Sequence, residues 1–194
     1  MERTTVALRP ARPEDREAIA ALDGSFTTDA VYEVTVSEHG FEIRPVPVDP
    51  PLHKVFPDDD DDDDDDVDGE AGGAGEDEGE PELTRTTVAV APEGLCGFVT
   101  ASFAPWNARL TIRDIEVAPA WRGKGVGRAL MRHAVDFARE CGAVHVWLEV
   151  SNVNAPAIRA YLRMGFVFCG LDTSLYDGTP SAGEQALFMV RPVR

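Results

Sequence analysis

Residues 116–130 read EVAPAWRGKGVGRAL. An alternating strand closes at Ala118-Pro119, a tryptophan and an arginine follow, and glycines then stand at every second position, Gly123, Gly125 and Gly127, before an amphipathic segment begins. Glycine is costly inside regular structure and useful where a backbone must turn sharply or be approached closely. A glycine-rich passage from strand to helix also presents the unpaired N–H groups of the helix's first turn, which favour an anion. Arg122, Lys124 and Arg128 add positive charge to the same few residues. The combination suits a pyrophosphate. Neither widespread phosphate motif fits: no Ser or Thr follows the lysine as GxxxxGK[ST] requires, and the third glycine comes one place early for GxGxxG.

Outward from this stretch the pattern is mixed. Upstream, RLTIRDIEVAP (109–119) alternates Leu110 and Ile112, then Ile115 and Val117, and the change of parity around Asp114 predicts a β-bulge. RTTVALRP (3–10) reads as a strand and RPEDREAIAALDG (12–24) as a helix with acids in its first turn. AVYEVTVSEHGFEIRPVPV (30–48) predicts a hairpin turning near His39-Gly40, and RTTVAVAPEGLCGFVTASFAP (85–105) predicts two more strands. Downstream, Val126, Leu130, Ala134, Phe137 and Cys141 share one face of a helix over 125–141. AVHVWLEV (143–150) reads as a central strand. NAPAIRAYLRMG (154–165) reads as a second helix, with Asn154 as N-cap, Pro156 in the first turn and Gly165 as stop. FVFCGLD and QALFMVRPV supply closing strands. The class is α+β with a mixed sheet.

The formal charge of −17 belongs to one segment. Sixteen of the 35 acidic residues lie between Asp58 and Glu82, leaving 19 acids against 18 bases elsewhere. That segment, with nine consecutive aspartates, cannot bury enough apolar area to offset its ordering entropy and is expected to be a disordered acidic insert (58–82) in a single domain spanning 1–194. A homopolymer lacks the turn that would converge its carboxylates on calcium, so no metal is expected. Cys96, Cys141 and Cys169 form no CxxC pair and read as reduced thiols. The near-neutral remainder argues against nucleic acid, and the lack of a long apolar run or a signal sequence points to a cytoplasmic protein without a membrane partner.

Arg122-Gly123-Lys124-Gly125-Val126-Gly127 also matches the R/Q-x-x-G-x-G/A loop of the GNAT superfamily of N-acetyltransferases. Asn154, Ala157, Ile158, Tyr161 and Gly165-Phe166 follow in the order of its N-x-x-A-I-x-x-Y-x-x-x-G-F pattern. The chain resembles that family. Longer stretches, including LDGSFTTDAVYEV (22–34) and WLEVSNVNAPAIRAYLRMGFVFCGLD (147–172), are similar to its antibiotic-modifying members. The resemblance implies a mostly antiparallel mixed sheet splayed at a β-bulge and flanked by helices. It implies acetyl-CoA as acetyl donor, a small cationic amine as acceptor, and a homodimer as an assembly common among relatives. Acceptors of another kind, another small amine or a protein amine, stay open, as does a non-catalytic acetyl-CoA-binding module.

Direct transfer needs a grip on the donor, a polarised carbonyl, a deprotonated amine and a protonated leaving thiolate. By the resemblance, the amides from Gly123 to Arg128, Val126 among them, cradle the pyrophosphate. The backbone of Ile115 and Val117 meets the pantetheine arm, the Val117 amide polarises the carbonyl, and Asn154 contacts the arm. Tyr161 is the implied general acid. An amine is mostly protonated at neutral pH, so a carboxylate must take a proton. Asp114, Glu116 and Glu149 are the candidates, with Glu116, beside the bulge, first. His133 and His145 read as structural. Phe26, Tyr32, Glu33 and Trp106 are candidates for the acceptor site, offering aromatic faces and a charge for a cation.

Overall fold

The computed structural model describes residues 6–55 and 83–193. The expected acidic insert, 58–82, lies outside the described residues. Along the chain come β1 (Ala7–Pro10), α1 (Arg16–Ala20), β2 (Phe26–Ser37), β3 (Gly40–Lys54), β4 (Leu83–Ala91), β5 (Gly94–Ala104), β6 (Arg109–Val117), α2 (Val126–Glu140), β7 (His145–Ser151), α3 (Ala155–Arg163), β8 (Val167–Asp172) and β9 (Ala186–Pro192). Seven strands form one sheet in the order β1-β4-β5-β6-β7-β9-β8, and β2 pairs with β3 alone. Within the large sheet only β6 and β7 run parallel. The expectation of an α+β chain with a mixed, mostly antiparallel sheet holds.

The bulge lies where the sequence places it. Thr100 faces Asp114 but Ala101 faces Ile112, so Arg113 is the extra residue of β6. The inserted residue returns Ile115 and Val117 to the apolar side occupied by Leu110 and Ile112, and both pack against the core. The parallel pairing of β6 with β7 then stops at Ile112 opposite Leu148. Beyond that point each strand is still held on its outer side, β6 by β5 as far as Val117–Gly97 and β7 by β9 as far as Ser151–Ala186. The inner edges therefore diverge while their outer edges stay fixed.

Helix α2 starts at Gly125, whose φ of 89° is left-handed, and ends before Gly142 at φ 74°. Its face from Val126 through Leu130, Met131, Ala134, Val135, Phe137 and Ala138 is buried, against strands of the large sheet. In α3 the Asn154 side chain accepts from the Ala157 N–H at 3.2 Å, as an N-cap does. The first helix is much shorter than the sequence pattern predicts. Asp15 turns its carboxylate back to accept from the Arg9 guanidinium and the Arg12 N–H, and a 3-10 turn occupies Pro13–Asp15. At the other end Asp23 caps the Ser25 N–H at 2.9 Å, which draws 23–25 into a local turn.

The two-stranded hairpin is fastened to the large sheet by Asn152. Its Nδ2 donates to Tyr32 O at 2.9 Å and its Oδ1 accepts from Gln185 N at 2.8 Å, while Tyr32 N donates to Asn152 O at 2.8 Å. Lys54, at the end of β3, pairs with Glu184 before β9, both largely buried. Replacing Asn152, itself buried, with Ala leaves Tyr32 O and Gln185 N without partners. Asn152→Ala is expected to lower stability by roughly 2–4 kcal/mol, read from urea unfolding; a loss under about 0.5 kcal/mol would show that the hairpin is held by other contacts.

Candidate active site

The divergence of β6 from β7 opens a cleft of about 1060 Å³. One wall is Ile112 to Val117, the other Leu148 to Ser151 with the Asn154–Met164 face of α3, and the glycine passage from Trp121 to Arg128 closes one end. Ala118 N donates to Cys96 O at 3.0 Å, which fixes the alternation of the β5–β6 ladder. Counting back, Glu116 and Asp114 bond towards β5, and the N–H and C=O groups of Ile115 and Val117 point away from it, into the cleft. A bulged, splayed strand thus offers the main chain of Ile115 and the N–H of Val117 to an extended ligand, while Val117 O already accepts from Arg122 Nε at 2.8 Å.

At the glycine passage Gly123 and Gly125 hold φ values of 73° and 89°, left-handed conformations that suit glycine. The first α2 amide to reach a helical carbonyl is Ala129, on Gly125 O at 3.0 Å. The amides of Val126, Gly127 and Arg128 precede it and face the cleft end with no helical acceptor. The Val126 side chain is buried in the core, so only its backbone belongs to the site. Lys124 places its ammonium 5.0 Å from the centre of the Trp121 ring.

Among the described residues three carboxylates reach the cleft, and they differ. Glu116 is half-buried under Gly24: a Cβ on that glycine would stand 2.6 Å from Glu116 Oε1. Burial pushes its carboxyl up to about 7, and the neighbouring charges of Asp114 and, less, Asp23 add to the rise while Arg122 opposes it. Asp114 is exposed. Glu149 is exposed too and accepts the Tyr176 hydroxyl. Tyr176 stands on the loop between β8 and β9, whose return is held by the pairing of Glu184 with Lys54 and by Ser151 Oγ on Glu184. Across the cleft Tyr161 lies along α3, its ring 5.8 Å from that of Phe166. Burial, then the Asp114 charge, raises its phenol well above the usual range, so it stays protonated.

The structure brings Asp114, Glu116, Glu149, Tyr161, Ile115, Val117, Asn154 and the residues of the glycine passage to one cleft. Phe26 joins them at its edge. It does not bring Tyr32, Glu33 or Trp106 there. Tyr32 is buried against Phe168, Glu33 pairs with Arg44 across the hairpin, and Trp106 is 84% exposed at the turn before β6, at the end remote from the cleft. The residue type of Tyr32 or Glu33 does not say which face of the strand it takes, nor that of Trp106 where its turn points, and none of the three lines the cleft. His145 begins β7 beside Arg109, also at the remote end, and His133 is exposed on α2. Tyr176 and Thr27 line the cleft unforeseen, and nothing local in LDTSLYDG distinguishes that tyrosine. Arg122 lines the cleft with the rest of the passage, and its guanidinium donates to the main-chain carbonyls of Val117, Asp23 and Ser25.

Residues 48–166 match the acetyltransferase (GNAT) family. A streptothricin acetyltransferase of Streptomyces lavendulae is 61% identical over 190 residues, covering 97% of this chain and 96% of that one. The crystal structure of a nourseothricin acetyltransferase superposes with a TM-score of 0.84 at 57% identity, covering 98% and 100% of the two chains. A Bacillus anthracis protein crystallised in complex with acetyl coenzyme A shares the fold, with a TM-score of 0.72 at 24% identity over 97% of this chain and 99% of that one.

The raised Glu116 carboxyl has a consequence for stability. A carboxyl whose folded pKa lies above its unfolded value holds its proton more tightly when folded. Its contribution is therefore present at low pH and is lost as pH rises from the ordinary carboxylate range through about 7. Glu116→Gln removes that dependence. The variant is expected to gain stability relative to the wild type between about pH 5 and pH 8 in urea titrations; a difference independent of pH would show that Glu116 is not desolvated.

Proposed function

The chain belongs to the acetyltransferase (GNAT) family, and from that premise we propose that it transfers the acetyl group of acetyl-CoA to an amine of streptothricin, in its β-lysine part, within a ternary complex. One observation carries the mechanism: a desolvated carboxylate and a neutral phenol face a single cleft whose end is the glycine passage. The substrate assignment rests on the similarity to the Streptomyces lavendulae enzyme over nearly the whole of both chains. The walls agree with it, because Asp114, Glu116 and Glu149 give the acceptor side a negative character suited to a polycation, while Lys124 and Arg128 give the passage the opposite one.

The donor fits the cleft. The amides from Gly123 to Arg128 would hold its pyrophosphate, and the exposed edges of Ile115 and Val117 would hold its extended arm as a strand would. The Val117 N–H, aimed into the cleft, would donate to the thioester oxygen as that oxygen gains charge. Glu116, directly or through a water, takes the proton from the incoming ammonium. Its raised pKa makes it a better base than an exposed carboxylate, and this favours it over Asp114. Glu149 already accepts from Tyr176, which favours it as a contact for a cation. As the amine nitrogen bonds to the carbonyl carbon and the carbon–sulfur bond breaks, Tyr161 gives its proton to the departing thiolate, the second proton shed by the acylated nitrogen restores the phenol, and Glu116 releases its own proton to solvent. Asn154 is engaged as the cap of α3 and its place in the cleft wall leaves it in reach of the arm.

Incubation with acetyl-CoA and streptothricin is expected to release free thiol and to raise the mass of the antibiotic by one acetyl group. Thiol release with other amines but not with streptothricin would discard the substrate and keep the chemistry. Binding of acetyl-CoA without turnover on any amine would favour a non-catalytic module. Tyr161→Phe is expected to lower kcat about a hundredfold or more while the Kd for acetyl-CoA changes by less than about threefold; equal losses in both would reduce Tyr161 to a packing residue.

A further inference from the structure

The arginine that opens the glycine passage spends its guanidinium on main-chain carbonyls. Arg122 Nε donates to Val117 O at 2.8 Å, Nη2 donates to Asp23 O at 3.0 Å, and Nη1 donates to Ser25 O. Three of its five donors therefore go to main-chain carbonyls of two segments far apart in sequence. The first is the cleft-facing edge of β6, at the residue whose N–H is aimed at the donor carbonyl. The second is the turn between α1 and β2, already shaped by the Asp23 cap on Ser25. Between those two carbonyls sits Gly24, pressed so closely on the Glu116 carboxylate that any larger residue would collide with it.

We propose that Arg122 is a positioning residue for the acceptor half of the site rather than a ligand of the donor's phosphates: its planar fork fastens residues 23–25 as a cover over Glu116 and fixes the Val117 edge beside it. The reading rests on Glu116 as the base and Val117 as the carbonyl donor. Lys124, Arg128 and the free amides of the passage remain to meet the pyrophosphate. A lysine could supply the same charge but not three divergent bonds, because an ammonium is a point donor and a guanidinium a rigid fork. The charged and titratable groups around Glu116 are Asp114 on its own strand, Asp23 on the cover, Arg122 itself, and the Tyr161 phenol across the cleft. Arg122 acts on Glu116 in two opposed ways. Its charge favours the carboxylate, and the cover it holds in place keeps water away and favours the acid.

Arg122→Lys separates the two, since it keeps the charge and loses the clasp. The titration of Glu116 is followed by 13C NMR of carboxyl-labelled free protein, with the resonance assigned from Glu116→Gln. In parallel, the Kd for acetyl-CoA is measured by calorimetry. With the cover loosened and the charge retained, the Glu116 midpoint is expected to fall by roughly one unit towards the ordinary carboxylate value. The Kd for acetyl-CoA is expected to move by less than about threefold. Gly24→Ala, which leaves Arg122 untouched and drives the carboxylate out from under the turn, is expected to shift the midpoint in the same direction and decides the matter if Arg122→Lys does not fold. An unmoved midpoint overturns the proposal, and so does a Kd that rises about tenfold or more, which would make Arg122 a phosphate ligand. Failure of the base assignment would show separately, as an acidic limb of kcat/KM that persists in Glu116→Gln.

Discussion

Everything in the site depends on a parallel pairing that lasts for four residues. Strands β6 and β7 are joined from Arg109–His145 to Ile112–Leu148 and then part. Fraying does not explain the gap, because each strand keeps its antiparallel partner on the outer side to the end. The extra residue at Arg113 adds twist where the separation begins. The result is a sheet with an internal edge, which soluble proteins otherwise cover or pair. An extended ligand that brings its own amides fills that edge as a missing strand would.

The two ends of the gap differ in charge for reasons that are local. At one end the start of α2 contributes unpaired N–H groups, with Lys124 and Arg128 beside them. Along the strands Asp114, Glu116 and Glu149 contribute carboxylates, of which Asp114 and Glu149 are exposed and Glu116 is half-buried. The difference between Asp114 and Glu116, two residues apart on one strand, comes from Gly24 lying over the second and not the first. Arg122 joins the two ends physically, since the residue that begins the donor-binding passage holds the turn that covers the base.

Much of this was legible in the residues. The parity slip from Leu110 and Ile112 to Ile115 and Val117 placed the bulge, because alternation in a half-buried strand has a fixed period. Gly125 opened the first long helix, and Asn154 and Gly165 bounded the second, because caps and stops are local chemistry. The family resemblance held, and the candidates it carried onto Ile115, Val117 and Tyr161 lie along the one cleft. Contacts between distant segments were not legible. Nothing in REAIAALDG says that Arg9 and Arg122 will draw Asp15 and the 23–25 turn out of a longer helix. Tyr32, Glu33 and Trp106 carried the right chemistry for a cation but no mark of the face they occupy. Tyr176 reaches Glu149 from a loop whose return is held by contacts distant in sequence, Lys54 and Ser151 on Glu184.

The most direct test of the account is a crystal structure of the protein with acetyl-CoA and a slowly reacting streptothricin analogue. The account predicts that the extended arm of the donor bonds to the main chain of Ile115 and Val117, with its thioester oxygen at the Val117 N–H, its sulfur towards Tyr161, and the acceptor amine on the side of Glu116. A donor arm lying elsewhere, with the inner edge of β6 left bare, would contradict it.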